Sequence, residues 1–224
     1  MEAGSQRRVA VIGGGAWGLA LATAAARAES DVVLLSRREL GSLRRGIRVV
    51  RDMKTAAAHA RLIIVAVPSG VSRSVARELG DYLDGSHYVV HGVRGLVHTT
   101  SPRDGESLRT ISEIIGEETP VRRTGALGGP ALAQDLIAGR PSVVVVGSRF
   151  PEVREAVTAA LGSPTLRVYP TGDLRGLEWA SALVGCLTLA VGSAQALKTS
   201  PGLVAALISR AVGEASRIAA AAGG

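Results

Sequence analysis

Val9-Ala10-Val11-Ile12-Gly13-Gly14-Gly15-Ala16-Trp17-Gly18 decides the fold. Four apolar residues of strand length run into three glycines, and the Ala- and Leu-rich stretch from Trp17 to Ala28 reads as a helix. Asp31 to Ser36 encloses Val32-Val33-Leu34-Leu35, a second buried strand. Strand, glycine turn, helix and strand within about thirty residues make the βαβ unit of a parallel sheet. Gly13 to Gly18 also matches G-x-G-x-x-G, and the strand before it and helix after it supply the context that gives this motif meaning. Gly13 allows the tight turn. Gly15 lets the backbone approach a pyrophosphate, with Ala16 and Trp17 opening the helix behind it. Gly18 lets helix and strand pack closely. The helix N-terminus then offers free N–H groups and partial positive charge to phosphates.

Outward from this unit the alternation continues. Strands are expected at Leu62–Val67, Tyr88–His91, Val121–Thr124, Ser142–Val146 and Leu166–Tyr169. Helices are expected at Val71–Leu79, Leu108–Ile115, Leu132–Ile137 and Pro151–Leu161. The Arg-rich stretch from Arg37 to Arg61 is poorly periodic and reads as loop and helix. Regular alternation predicts an α/β fold, a doubly wound, mostly parallel Rossmann sheet. After Asp173 the strands cease, and Gly176–Leu197 and Gly202–Ala222 read as two long helices. A dinucleotide-binding domain over 1–173 and a helical segment over 174–224 are therefore expected.

Composition narrows the function. The 224 residues are 46% hydrophobic and 20% charged, so the chain can bury a substantial core. The net charge of +7 is scattered, and aromatics are only 3%, which argues against a base-stacking nucleic-acid surface and suits a small phosphorylated partner. The single Cys186 excludes an internal disulfide framework and a cysteine zinc cage, no metal is expected, and a reducing cytoplasm is the natural compartment. No export signal is read at the N-terminus. Trp179 to Leu197 carries no charge, but its Ala, Gly, Ser and Thr content favours a buried helix between packed units over a membrane span.

The end of the second strand bears on the cofactor. An acidic residue there indicates NAD. Ser36-Arg37-Arg38 stands there instead, and two guanidinium groups and a hydroxyl favour the 2′-phosphate of NADP. NAD stays open, because Arg37 and Arg38 also read as solvated loop charges.

Five stretches in order resemble the bacterial-type NAD(P)-dependent glycerol-3-phosphate dehydrogenases. They are Val11 to Ala22, Val65-Ala66-Val67-Pro68-Ser69, Gly129-Pro130 with Ala133, Asp135, Gly139 and Pro141, Leu166 to Tyr169 with Asp173, Gly176 and Glu178, and Ala205 to Arg210 with Glu214. The resemblance implies a Rossmann domain followed by a helical domain, with the active site between them. It implies hydride transfer between a nicotinamide and glycerol 3-phosphate or dihydroxyacetone phosphate. Pro68 and Ala133 would line the cofactor site, while Gly129 and Arg210 would hold the substrate, Arg210 gripping its phosphate with a bidentate fork.

The pattern also breaks. Arg94 before Gly95 stands where the family has a lysine, and is the candidate catalytic residue as an oxyanion stabiliser. Ala182-Leu183-Val184-Gly185 stands where the family has Ala-Leu-Lys-Asn, whose lysine is its general acid/base. Lys198 and His91 are the remaining candidates for a proton donor, although either residue type near a helix or strand end also serves structural ends. Two readings follow: a dehydrogenase of this family, or a dinucleotide-binding homologue without its catalysis, acting as sensor or partner subunit. A reductase of another substrate on the same scaffold is a third. Only two helices of the family's helical domain are present. Leu183, Leu187, Val191, Leu203, Leu207 and Ile208 would form an uncovered apolar face, which predicts a homodimer.

Overall fold

The computed structural model describes residues 7–41, 43–101 and 105–224. Three parallel strands start the fold: β1 (Arg8–Ile12), β2 (Asp31–Leu35) and β3 (Ile47–Val50). Helix α1 (Ala16–Arg27) joins the first two, and α2 (Met53–His59) leads to β4 (Leu62–Val65). A single turn of 3-10 helix and α3 (Ser72–Gly80) lead to β5 (Tyr88–His91). The hairpin β6 (Val97–Ser101) and β7 (Gly105–Arg109) precedes α4 (Ile111–Glu118) and β8 (Arg123–Gly128). Then follow α5 (Ala133–Ala138), β9 (Ser142–Gly147), α6 (Pro151–Leu161), β10 (Leu166–Thr171), α7 (Leu174–Ala196) and α8 (Pro201–Ala221).

Among the described residues the main sheet has the order β10-β9-β8-β5-β4-β1-β2-β3. The run from β3 to β8 is parallel throughout, with the doubly wound order of a Rossmann sheet. Strands β9 and β10 run parallel to each other and antiparallel to β8. The chain order reverses between β1 and β4, so a crevice opens outside their carboxyl ends. The alternation of β1 explains the layering. Val9 and Val11 face a core shared with α1 and α6, while Ala10 and Ile12 face a second core shared with α2, α3 and α4. Ile64 in β4 is fully buried, and cutting such a side chain to Ala costs about 2–5 kcal/mol.

Several elements depart from the expected ones for identifiable reasons. Arg37 to Arg61 is not only loop and helix. It also holds β3, a short, partly exposed edge strand after Gly46, whose φ of +97° reverses the chain. The helix expected over Leu108–Ile115 begins at Ile111. Leu108 belongs to β7, and Thr110 with Glu113 forms a capping box that sets the helix start. The strand expected over Val121–Thr124 runs instead from Arg123 to Gly128.

The largest correction concerns the uncharged helix. Helix α7 is mostly exposed rather than buried between packed units; Val184 and Leu189 are 39% and 72% exposed. It is long and apolar enough, by length and composition alone, to cross a membrane. Its first turns are nevertheless fastened to the sheet through buried Glu178. Helix α8 packs back along α7, and Arg175 at the start of α7 donates to the carbonyl of Ala222 beyond the end of α8. The apolar residues sort differently from the expected face. Leu183, Leu187, Val191 and Leu207 are half-buried, whereas Leu203 and Ile208 stay exposed together with Leu189, Leu197, Val212 and Ile218.

Candidate active site at the carboxyl edge of the sheet

Each glycine of the turn after β1 has a distinct physical task. Gly13 has φ +121°, and a Cβ there would overlap the Ala66 carbonyl at the end of β4. A Cβ on Gly18 would overlap the Gly13 carbonyl, so α1 packs against β1 only without one. A Cβ on Gly14 would strike the Ser36 side chain. Gly15 differs, since nothing lies within 4 Å of its Cβ position and its φ of −76° is ordinary. The turn is packed tightly behind and open in front, where the unpaired amides of the first turn of α1 begin. No side chain caps that helix start and no acidic residue occupies its first turn.

Beside this cradle lies a cavity of about 420 Å³. Gly15, Ala16 and Trp17 form one wall, Pro68 and Ser69 a second, Gly92 to Arg94 a third, and Ala131 to Ala133 the last. Their backbones meet at the carboxyl ends of β1, β4, β5 and β8. Cross-strand bonds from Ala66 N–H to the Ile12 carbonyl (2.8 Å) and from Gly92 N–H to the Val65 carbonyl (2.8 Å) carry the sheet into this rim. Gly92 is needed because Trp17 lies against it, its indole Nε1 2.6 Å from where a Cβ would stand. Among the described residues Arg94 is the one ionisable residue on the wall, and its guanidinium donates to the Gly129 carbonyl at 2.7 Å. The structure thus brings together Gly15, Ala16, Trp17, Pro68, Ala133 and Arg94, with Gly129 held at the edge by Arg94.

Other expected residues stand elsewhere. Ser36 is 2% exposed, and its hydroxyl is engaged by its own loop, accepting from Arg38 N–H at 3.1 Å and bonding the Arg38 carbonyl at 3.0 Å. It shapes the turn, and Arg37 and Arg38 remain exposed beyond it. Arg51, which sequence reasoning passed over, donates to the carbonyls of both Ser36 and Arg38 at 3.0 Å. Arg210 is not on the cavity wall. Its side chain is 82% exposed on α8, 3.8 Å from Glu214. Val184 and Gly185 are exposed on α7 and also off the wall. Lys198 is exposed at the end of α7 with φ +55°.

His91 is not a free base. It is 1% exposed and joined to Glu178 at 2.9 Å. Glu178 also accepts from Ser112 N–H (2.8 Å) and from the Ser112 hydroxyl (2.6 Å). Burial alone would raise the Glu178 pKa. The hydrogen bond from His91, with both bonds from Ser112, outweighs it and holds the carboxyl below its ordinary range.

The family model for the N-terminal part of NAD-dependent glycerol-3-phosphate dehydrogenase matches residues 39–154. The chain belongs to this family. Glycerol-3-phosphate dehydrogenase [NAD(P)+] of Acinetobacter baumannii is 31% identical over 95% of this chain. The enzyme of the same name from Brucella canis is 31% identical over 94%. The chain spans 62% of the length of the first relative and 68% of the second. Among solved structures, glycerol-3-phosphate dehydrogenase from Coxiella burnetii superposes with a TM-score of 0.83. That match covers 98% of this chain and 70% of the other at 24% identity, a likeness of fold.

Proposed function

We propose that this chain binds NADP or NAD across the carboxyl edge of β1 and β4 and transfers hydride between it and glycerol 3-phosphate or dihydroxyacetone phosphate. The observation that carries this reading is Gly15, an ordinary-φ glycine with open space in front of it at the start of a helix without a side-chain cap. Such a corner accepts a pyrophosphate and fits the group by its shape. When bound, the cofactor supplies the hydride.

The chain's own residues do the rest. Ala16 and Trp17 present the amides of the first turn of α1. Trp17, Pro68 and Ala133 exclude water from the cavity. Arg37 and Arg38 offer charge to a 2′-phosphate, on a turn that Ser36 and Arg51 hold in shape. Arg94 points its guanidinium at the carboxyl edge, where it stabilises an oxyanion without giving up its proton. Arg210 is assigned the substrate phosphate on the likeness of Ala205–Arg210 to the family's helix. We assign residues 1–173 to the dinucleotide and 174–224 to substrate and dimerisation, with exposed Leu189, Leu197 and Leu203 meeting a second copy. A cytoplasmic setting fits the free, exposed thiol of Cys186.

One observation favours a second reading. Among the described residues the cavity wall carries Arg94 and no other ionisable residue. A guanidinium is a poor proton donor, so binding without turnover is the expected behaviour if no group from outside the wall enters. The test is NAD(P)H oxidation with dihydroxyacetone phosphate beside a calorimetric titration of the cofactor. Binding with turnover supports the dehydrogenase, binding alone selects the non-catalytic homologue, and no binding ends both.

A further inference from the structure

Between α4 and the start of α7 lies another cavity, of about 370 Å³, that shares no wall residue with the dinucleotide cavity. Its charge balance is unusual. Three arginines, Arg122, Arg149 and Arg175, line it together with two acidic residues, Glu113 and Glu178. Both carboxylates are already taken. Glu178 accepts from His91 and Ser112. Glu113 accepts from Thr110 N–H at 2.8 Å and from Arg175 at 2.9 Å. The guanidinium groups of Arg122 and Arg149 and the hydroxyl of Thr124 make no hydrogen bond or ion pair with the described residues.

Solitary surface arginines are ordinarily just solvated. Here two arginines with unpaired guanidinium groups and a threonine with a free hydroxyl border one concavity, and no free carboxylate among the described lining residues competes for them. Such a wall is short of anions. The cavity is larger than a phosphate group, and Phe150 on the same wall adds an apolar edge against which a short carbon skeleton can lie. We propose that this cavity is a second anion site that takes a phosphate monoester of a small carbon skeleton. Arg122 and Arg149 grip the phosphate and Thr124 donates to it. The inference does not depend on the function proposed for the dinucleotide cavity.

The test must keep the glycine cradle from answering for this site. The 224-residue protein carrying Gly15→Asp and Arg210→Ala serves, because the added side chain has room and places a carboxylate where phosphate would bind, and the second change removes the exposed guanidinium assigned to the substrate phosphate. Glycerol 2-phosphate and inorganic phosphate are titrated calorimetrically at constant ionic strength. The expected result is saturable binding of one equivalent, tighter for the ester. Arg122→Ala and Arg149→Ala should each weaken it at least about tenfold. Arg45→Ala and Arg217→Ala, each of which removes the same single charge from an exposed position outside the cavity, should leave it unchanged. Arg122 and Arg149 are exposed, so their variants keep the fold, and thermal midpoints verify this. No saturable heat overturns the site, as does equal binding by the cavity variants or an equal loss in the control pair. An ester that binds no tighter than inorganic phosphate overturns the assignment to a monoester.

Discussion

His91 Nε2 and Glu178 Oε1 stand 2.9 Å apart across a sequence separation of 87 residues, and both side chains are almost wholly buried. Val93 N–H donates to the other ring nitrogen, Nδ1, at 3.3 Å. With Nδ1 accepting, the ring carries its proton on Nε2 and donates it to Glu178. This contact and the two bonds from Ser112 join the end of β5, the start of α4 and the second turn of α7. The helical segment is thereby fixed to the sheet near Gly92, Val93 and Arg94, which form a wall of the cavity beside the glycine turn. His91 is thus a fastening, and its engaged, buried nitrogens remove it as a proton donor for the proposed reaction.

Removing the carboxylate should be expensive. Glu178→Ala strands the His91 Nε2–H and the Ser112 N–H in a buried position. We expect a loss of about 3 kcal/mol in unfolding free energy, read from denaturant midpoints at neutral pH. A loss under about 1 kcal/mol would show that water replaces the carboxylate freely.

The same group makes stability depend on pH. The folded pKa of Glu178 lies below its ordinary value of 4.5, so the folded state holds fewer protons than the unfolded one. Its stabilisation is fully present above 4.5 and is lost as pH falls through the folded value. Glu178→Gln should therefore flatten the acid limb of a stability-versus-pH curve. Some slope should persist from Glu118, whose pKa is also lowered, by its bonds to Arg77 and Arg73. An unaltered limb would refute the linkage.

The glycines separate by task. Gly15→Asp should fold with a nearly unchanged thermal midpoint and weaken cofactor binding at least about 100-fold, because a carboxylate replaces open space at the proposed phosphate site. Gly18→Ala should instead lower stability by about 2 kcal/mol or more, since its Cβ overlaps the Gly13 carbonyl. Calorimetry and melting curves on the two proteins distinguish a binding glycine from a packing one.

Cofactor choice is tested at the end of β2. Arg38→Ala removes an exposed charge and should weaken NADP about tenfold while leaving NAD nearly unaffected. Arg51→Ala should reduce the same preference without removing a charge from Arg37 or Arg38, because it releases the carbonyls of Ser36 and Arg38. Equal effects of Arg38→Ala on the two cofactors would exclude a role in 2′-phosphate binding.

Arg94 carries the chemical prediction. Arg94→Ala should reduce turnover of dihydroxyacetone phosphate about 100-fold or more and change the cofactor dissociation constant by no more than about threefold. Arg94→Lys should recover part of the rate, since the charge returns without the planar fork that reaches Gly129. Steady-state kinetics beside a binding titration give both numbers, and unchanged turnover in Arg94→Ala would remove it from the mechanism.

The sequence by itself determined the βαβ start, the parallel sheet and the glycine cradle. Periods of two and 3.6 residues, and glycines where a side chain cannot fit, are local signals written within a few residues. Pro151–Leu161 and Tyr88–His91 were legible to the residue for that reason. Edge strand β3 was not, because half-exposed Ile47-Arg48-Val49-Val50 needs only one neighbour and shows no continuous apolar run. Only the tertiary structure decided which charged residues meet. The pairing of His91 with Glu178, the grip of Arg51 on the Ser36–Arg38 turn and the position of Arg94 over Gly129 join distant parts of the chain. No local periodicity encodes such contacts, because they depend on how the finished sheet aligns its strand ends.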